Sequence, residues 1–142
     1  DPGRFNAAVP KAAKGPVEVG VDSKQVRLDA KGRGEITVVM QLKSPWHVAL
    51  PGTKDVMPVR IASATPGIEV TPKWPPGKTY QDQIGSMQVL EGTARIPVTV
   101  IRSNAVESTL ELSVSWQACD DKMCLRPETQ TYAVELVDGG NR

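Results

Sequence analysis

From Val17 onward apolar side chains recur at every second position, and no other feature of this sequence constrains the fold as tightly. In an extended chain that spacing puts them on one face. Val17, Val19 and Val21 form the first run, Val26 and Leu28 the second; Ile36, Val38, Met40 and Leu42 then stand against Glu35, Thr37, Gln41 and Lys43. The pattern returns in Val56 to Ile61, in Ile68 to Val70, in Ile96, Val98 and Val100, and in Leu110, Leu112, Val114 and Trp116, with Gly, Pro, Asn or Asp in the gaps. Eight or nine short half-buried strands separated by turn signals predict an all-β chain folded as an antiparallel sandwich. Its sheets are expected to pack Ile36, Val38, Met40, Val98, Val114 and Trp116 between them.

Composition agrees. Of 142 residues, 18 are Val, 6 Ile and 10 Thr, so 34 are β-branched against 8 Leu, a balance that favours strands. Twelve Gly and twelve Pro spread along the chain cut it into pieces too short for a helical bundle. The length suits a single domain. Residues 1–16 lack periodicity and read as an N-terminal arm, 17–137 as the domain, and 138–142 as a flexible C-terminal tail. Pro97 cannot donate to a ladder, so its strand is expected at an edge or at a bulge. The segment Thr71 to Met87 shows no period and reads as one long ordered loop.

Seventeen Lys and Arg against sixteen Asp and Glu give a formal charge of +1 with no block of like charge, which removes the electrostatic footprint of a nucleic-acid or acidic-membrane binder. No apolar run approaches the roughly 18 to 20 residues that span a bilayer. The chain opens Asp1-Pro2-Gly3 without a signal sequence, as a mature or excised piece would. One His and two Cys fall short of the four N or S ligands typical of a structural zinc site. No Ser, His and Asp spacing points to hydrolysis, and no glycine loop to phosphate.

The informative segment is residues 110–136. Two strand-like runs flank Asp120-Asp121-Lys122-Met123, a normal hairpin loop. Cys119 and Cys124 then face each other where ladder Cα atoms lie about 4.5 to 5.5 Å apart, within disulfide range. Alternation from Leu110 through Ala118 sets Cys119 on the opposite, polar face, at a solvent-facing edge. Strict pairing from Cys124 would place Tyr132 opposite Glu111, the wrong parity, so an extra residue is needed; Leu125 to Pro127 is the cheapest place for a bulge. The ordinary reading of such a bridge is a staple in a secreted domain. Yet closing about six residues contributes only roughly 2 kcal/mol on the chain-entropy model, against about 3 for 15 residues, whereas an exposed bridge is well placed for attack by another protein's thiolate. The two thiols are also unequal. Cys119 ends a regular strand and abuts Asp120 and Asp121, which suppress its thiolate; Lys122 and Arg126 favour that of Cys124, the expected attacking thiol.

The segments WQACDDKMCLRPET, Trp46-His47-Val48, TPKWPPG and ARIPVTV, in this order Trp46-His47-Val48 first, resemble the amino-terminal periplasmic domain of the DsbD family of thiol:disulfide interchange proteins, over roughly residues 20 to 137. The resemblance implies an immunoglobulin-like sandwich in the periplasm that needs no cofactor. Its cysteine pair, here Cys119 and Cys124, would take electrons from a thioredoxin-fold domain and pass them to oxidised periplasmic proteins such as disulfide isomerases or cytochrome c maturation factors. Cys124 would form the mixed disulfides. The family also implies a cap loop with an aromatic side chain over the cysteines; the matching stretch from Gln81 through Asp82, Gln83 and Ile84 to Gly85 has no Phe, which leaves Ile84 or Tyr80 as the substitute and puts residues 78–87 over the hairpin. The rival from another class is a non-catalytic binding domain with a structural disulfide.

His47 is the sole imidazole, beside Trp46. It reads as packed at a strand start, with proton transfer near the thiols as the alternative. Trp116 reads as core. Trp74 and Tyr80 read as packing their loop onto the sandwich rather than as a sugar or peptide platform.

Overall fold

The structure, a computed structural model, describes residues 15–52, 56–81, 85–103 and 106–139. Its elements are strands: β1 (Val17–Val21), β2 (Gln25–Leu28), β3 (Arg33–Leu42), β4 (His47–Ala49), β5 (Arg60–Ser63), β6 (Ile68–Pro72), β7 (Lys78–Gln81), β8 (Ser86–Leu90), β9 (Thr93–Arg102), β10 (Thr109–Trp116), β11 (Ala118–Cys119) and β12 (Glu128–Asp138). No helix occurs among the described residues. They form a first sheet in the order β1-β3-β9-β6, a second in the order β2-β12-β10-β5, and a small third in the order β11-β4-β8-β7.

The first two sheets make the sandwich. Ile36, Val38, Met40 and Val98 from one and Val114 and Trp116 from the other are all buried, as the alternation requires. Each such side chain contributes on the order of 1.5–3 kcal/mol by leaving water. Tyr132 on β12 joins the layers: its buried hydroxyl donates to the carbonyl of Val19 on β1 at 2.9 Å. Burial pushes the Tyr132 phenol well above the usual tyrosine range. Pairing is antiparallel everywhere except between β2 and β12, which run parallel because the chain crosses from the first sheet to the edge of the second after the Asp22–Lys24 turn.

Four expectations are corrected. Pro97 does not sit on an edge strand, since β9 lies between β3 and β6. Its carbonyl accepts from Lys73 N at 2.8 Å, so the side on which the N–H is missing faces the chain just beyond Pro72, where β6 has ended. The ladder therefore loses nothing to the proline. Val56 to Val59 precede a strand that begins only at Arg60, because Val59 N is taken by the Ala49 carbonyl at 2.8 Å. Thr71 to Met87 is not one loop: it holds the end of β6, the segment 73–77, and the β7–β8 hairpin. The strand total is also higher than eight or nine, because the third sheet is built from pieces of two to five residues that carry no readable period.

Toward the ends, Pro16 O accepts from Lys43 N at 2.8 Å, and β12 continues through Asp138, whose carboxylate pairs with the guanidinium of Arg102. Gly139 N donates to Leu28 O at 2.9 Å. The rest of the expected arm and tail, residues 1–14 and 140–142, lies outside the described residues.

Candidate functional site

The site begins where β10 stops. Gln117 interrupts the ladder after Trp116; its Oε1 accepts from Met57 N at 3.1 Å and its Nε2 donates to Leu125 O at 3.1 Å. Ala118 and Cys119 then leave the sandwich sheet and pair with β4, Ala118 opposite Val48 and Cys119 opposite His47. Covered in this way, Cys119 is 3% exposed. It is neither the end of a regular strand nor solvent-facing, as alternation along a single sheet had implied, because the chain changes partner at Gln117.

Cys119 and Cys124 oppose each other in the hairpin and are disulfide-bonded, with Cα atoms 4.0 Å apart, closer than a ladder alone would bring them. Cys124 is exposed. The register changes between the strands and the bridge: Trp116 pairs with Glu128, whereas Cys119 pairs with Cys124. Two residues on one arm, 117 and 118, therefore match three on the other, 125–127, so the extra residue falls where parity demanded it. Leu125 N donates to Ala118 O at 2.8 Å and holds that arm in place.

The loop between the cysteines is organised by Asp120. Its Oδ1 accepts from the backbone N–H of Lys122 and of Met123, both at 2.8 Å, and its own N–H donates to Met123 O at 2.9 Å. The Lys122 and Met123 N–H groups, Lys122 first, hold the Asp120 carboxyl below its usual range. Its carboxylate thus shapes the loop, a use beyond the suppression of the Cys119 thiolate read from its position. Asp121, Lys122 and Arg126 are exposed around the bridge, and Met123, 54% exposed, is among the few large apolar side chains left in solvent.

On the far side of Cys119 from Cys124 stands His47. Residues opposed in an antiparallel ladder project to the same face, so Cys124, Cys119 and His47 form one cross-strand row. His47 is 3% exposed and its Nε2 is buried with no hydrogen-bond partner. Such a group typically costs about 1–3 kcal/mol. The ring of Tyr80, on β7, lies against it with centroids 4.2 Å apart at a 39° tilt. The β7–β8 hairpin thus reaches the cysteines through His47 and through the sheet it shares with β11. Trp46 and Trp74 are partly buried and pack on the core. Asp82, Gln83 and Ile84, the tip of the expected cap, lie outside the described residues. Among the described residues no three His, Cys, Asp or Glu side chains cluster as a metal site.

Two features of the site escaped the sequence: Gln117 as the clamp that redirects the chain, and the register that sets His47, whose place near the thiols was only the alternative reading, opposite Cys119. Gln117 carried a signal, a polar residue between Trp116 and Ala118 where the strand was read as continuous. The second is a contact between remote segments, for which nothing local signals.

Fold and site define an immunoglobulin-like domain that presents one hairpin disulfide, half of it buried against a small accessory sheet. The chain belongs to the family of the N-terminal domain of the thiol:disulfide interchange protein DsbD, which matches residues 19–136. Among solved structures it is similar to the N-terminal periplasmic domain of ScsB from Proteus mirabilis, with a TM-score of 0.73 at 11% identity over 90% of this chain and 49% of that one, so it spans about half of that relative. The DsbD N-terminal domain of Neisseria meningitidis in the reduced form aligns with a TM-score of 0.51 at 13% identity over 78% of this chain and 81% of that one. The complex between the DsbD and PilB N-terminal domains of the same organism gives 0.54 at 11% identity, over 88% of each chain. Identities this low speak for the fold alone. No curated protein sequence matches the chain.

Proposed function

We propose that this chain is a periplasmic thiol:disulfide exchange module that passes two electrons at a time between thioredoxin-fold partners through Cys119 and Cys124. One observation carries the reading within the family: the bridge offers a single sulfur to an incoming thiolate, since Cys124 is exposed while Cys119 is covered. A staple has no need of that asymmetry.

In the forward half-reaction a thiolate of a reduced donor attacks Cys124 Sγ, the bond to Cys119 Sγ breaks, and the electron pair stays on Cys119, which is then protonated. The donor's second thiolate attacks its own sulfur in the mixed disulfide and releases the Cys124 thiolate. The donor is now a disulfide and the module a dithiol. Toward an oxidised acceptor the steps reverse: Cys124 attacks, and Cys119 resolves the mixed disulfide. The two sulfurs hold both electrons, so the exchange asks for no bound cofactor. The complex of the Neisseria DsbD domain with a PilB domain supports a docking partner of this kind, and the exposed Met123 beside Cys124 supplies an apolar contact for it.

The deciding measurement is the reduction potential. A shuttle lies above about −300 mV and equilibrates with reduced thioredoxin; a structural bridge lies below that line. A value far below it would leave a binding domain with a structural disulfide.

A further inference from the structure

We propose that His47 is the proton partner of Cys119, an inference that rests on the exchange function above. Three observations converge. His47 stands directly opposite Cys119, on the same face of the β11–β4 ladder. Its Nε2 is buried without a partner in the disulfide form. The Tyr80 ring lies against the imidazole and fixes its place.

A disulfide sulfur is a weak acceptor and has no proton to give, so in the oxidised state the imidazole has nothing to bond. Reduction changes that. When a thiolate attacks Cys124 Sγ, the electron pair of the broken bond arrives at Cys119, inside the protein and away from water. A buried thiolate is unfavourable unless a donor meets it. The imidazolium form of His47 donates Nε2–H to Cys119 Sγ and transfers that proton, which leaves a neutral ring whose Nε2 lone pair accepts from the Cys119 thiol. In the reverse direction Nε2 takes the Cys119 proton, and the thiolate attacks Cys124 Sγ and expels the partner's thiolate. The orphaned nitrogen of the oxidised form is thus the complement of the reduced one. His47 stabilises the dithiol and serves the buried sulfur, which no solvent base reaches.

The test uses His47→Phe, which keeps a ring against Tyr80 and removes the nitrogens, and His47→Gln, which keeps a hydrogen-bonding group without proton relay. Each is equilibrated with glutathione and then mixed with reduced thioredoxin in single turnovers. For His47→Phe the equilibrium should shift about tenfold toward the disulfide, about 30 mV for this two-electron couple. Its exchange rate at saturating thioredoxin should fall on the order of 10²-fold with the half-saturating concentration unchanged. His47→Gln should recover the equilibrium more than the rate. A His47→Phe protein with parental potential and rate would overturn the proposal. Should His47→Phe not fold, His47→Gln decides: a parental rate overturns it and a slowed rate supports it. The glutathione equilibrium involves no protein partner. Failure of the parental chain to react with thioredoxin therefore counts against the exchange function, whereas an unmoved potential counts against His47.

Discussion

Cys119 and Cys124 share one bond but not one environment: the first is buried between the hairpin and β4, the second open to solvent beyond the Asp120 turn. The difference arises at Gln117, where the chain leaves the sandwich sheet and takes β4 as its new neighbour. Burial and charge are expected to act in the same direction. Lys122 and Arg126 are exposed in the same segment as Cys124, so the trapping below should find that sulfur the reactive one.

Trapping separates the two. Cys119→Ser leaves the exposed thiol with nothing to resolve it and should accumulate a mixed disulfide with a thioredoxin-fold partner; Cys124→Ser leaves only the covered one and should yield at least tenfold less. Mass spectrometry of the trapped species identifies the linked cysteine. A partner joined chiefly through Cys119 would refute both the burial and the charge arguments.

Tyr80, whose ring lies against His47, is expected to limit access to the buried sulfur. With Tyr80→Ala the side chain against His47 is lost while the β7–β8 hairpin keeps its ladder, so Cys119 in the reduced protein should be alkylated several-fold faster by a small reagent. Cys124, already exposed, should keep its rate. Equal Cys119 rates in the variant and the parent would remove the lid role.

Much of this was legible beforehand, and the exceptions share a cause. Ile36 to Leu42 and Leu110 to Trp116 could be placed by alternation because each strand keeps one apolar and one polar environment along its length. Cys119 could not, since the rule assumes a strand stays in one sheet. The bulge at Leu125–Pro127 was recoverable from parity because Tyr132 is too large and apolar to face water, and it pairs with Leu112 instead of Glu111. Lys78 to Gln81 gave no period because only Tyr80 in this strand is partly buried, while its partner β8 supplies Leu90 to the core.

Asp120 should make the hairpin acid-sensitive. Its folded carboxyl is held below the ordinary value of 3.8 by the Lys122 and Met123 N–H groups. The unfolded chain therefore binds the proton more readily, the stabilisation is complete above about pH 3.8, and it is lost as pH falls through the folded value. Asp29, held low by the N–H groups of Arg33 and Lys31, adds to the same limb. Urea midpoints measured from pH 6 down to pH 2 should fall for the parent and fall less for Asp120→Asn. Parallel curves would show that the carboxylate contributes nothing there.

Tyr132 should govern stability without touching the redox step. Its hydroxyl bonds Val19 O at 2.9 Å, with a longer contact to Gln130 Oε1 at 3.3 Å, and links the sheets inside the sandwich, while the cysteines lie beyond the end of β10. Tyr132→Phe removes the donor, leaves the Val19 carbonyl without it, and should lower stability by about 1–3 kcal/mol, near 3–4 °C in Tm for each kcal/mol in a domain of roughly this size. Burial also raises the folded phenol above its ordinary 10.0, so its stabilisation is fully present below pH 10.0 and is lost as pH rises toward the folded value. The parental protein should therefore weaken above pH 10.0 more steeply than Tyr132→Phe. Calorimetry across that range, with the glutathione equilibrium measured in parallel, tests both halves. An unchanged Tm would show that the inter-sheet bond is not a net contributor, and a shifted redox equilibrium would show that the sandwich and the hairpin are coupled.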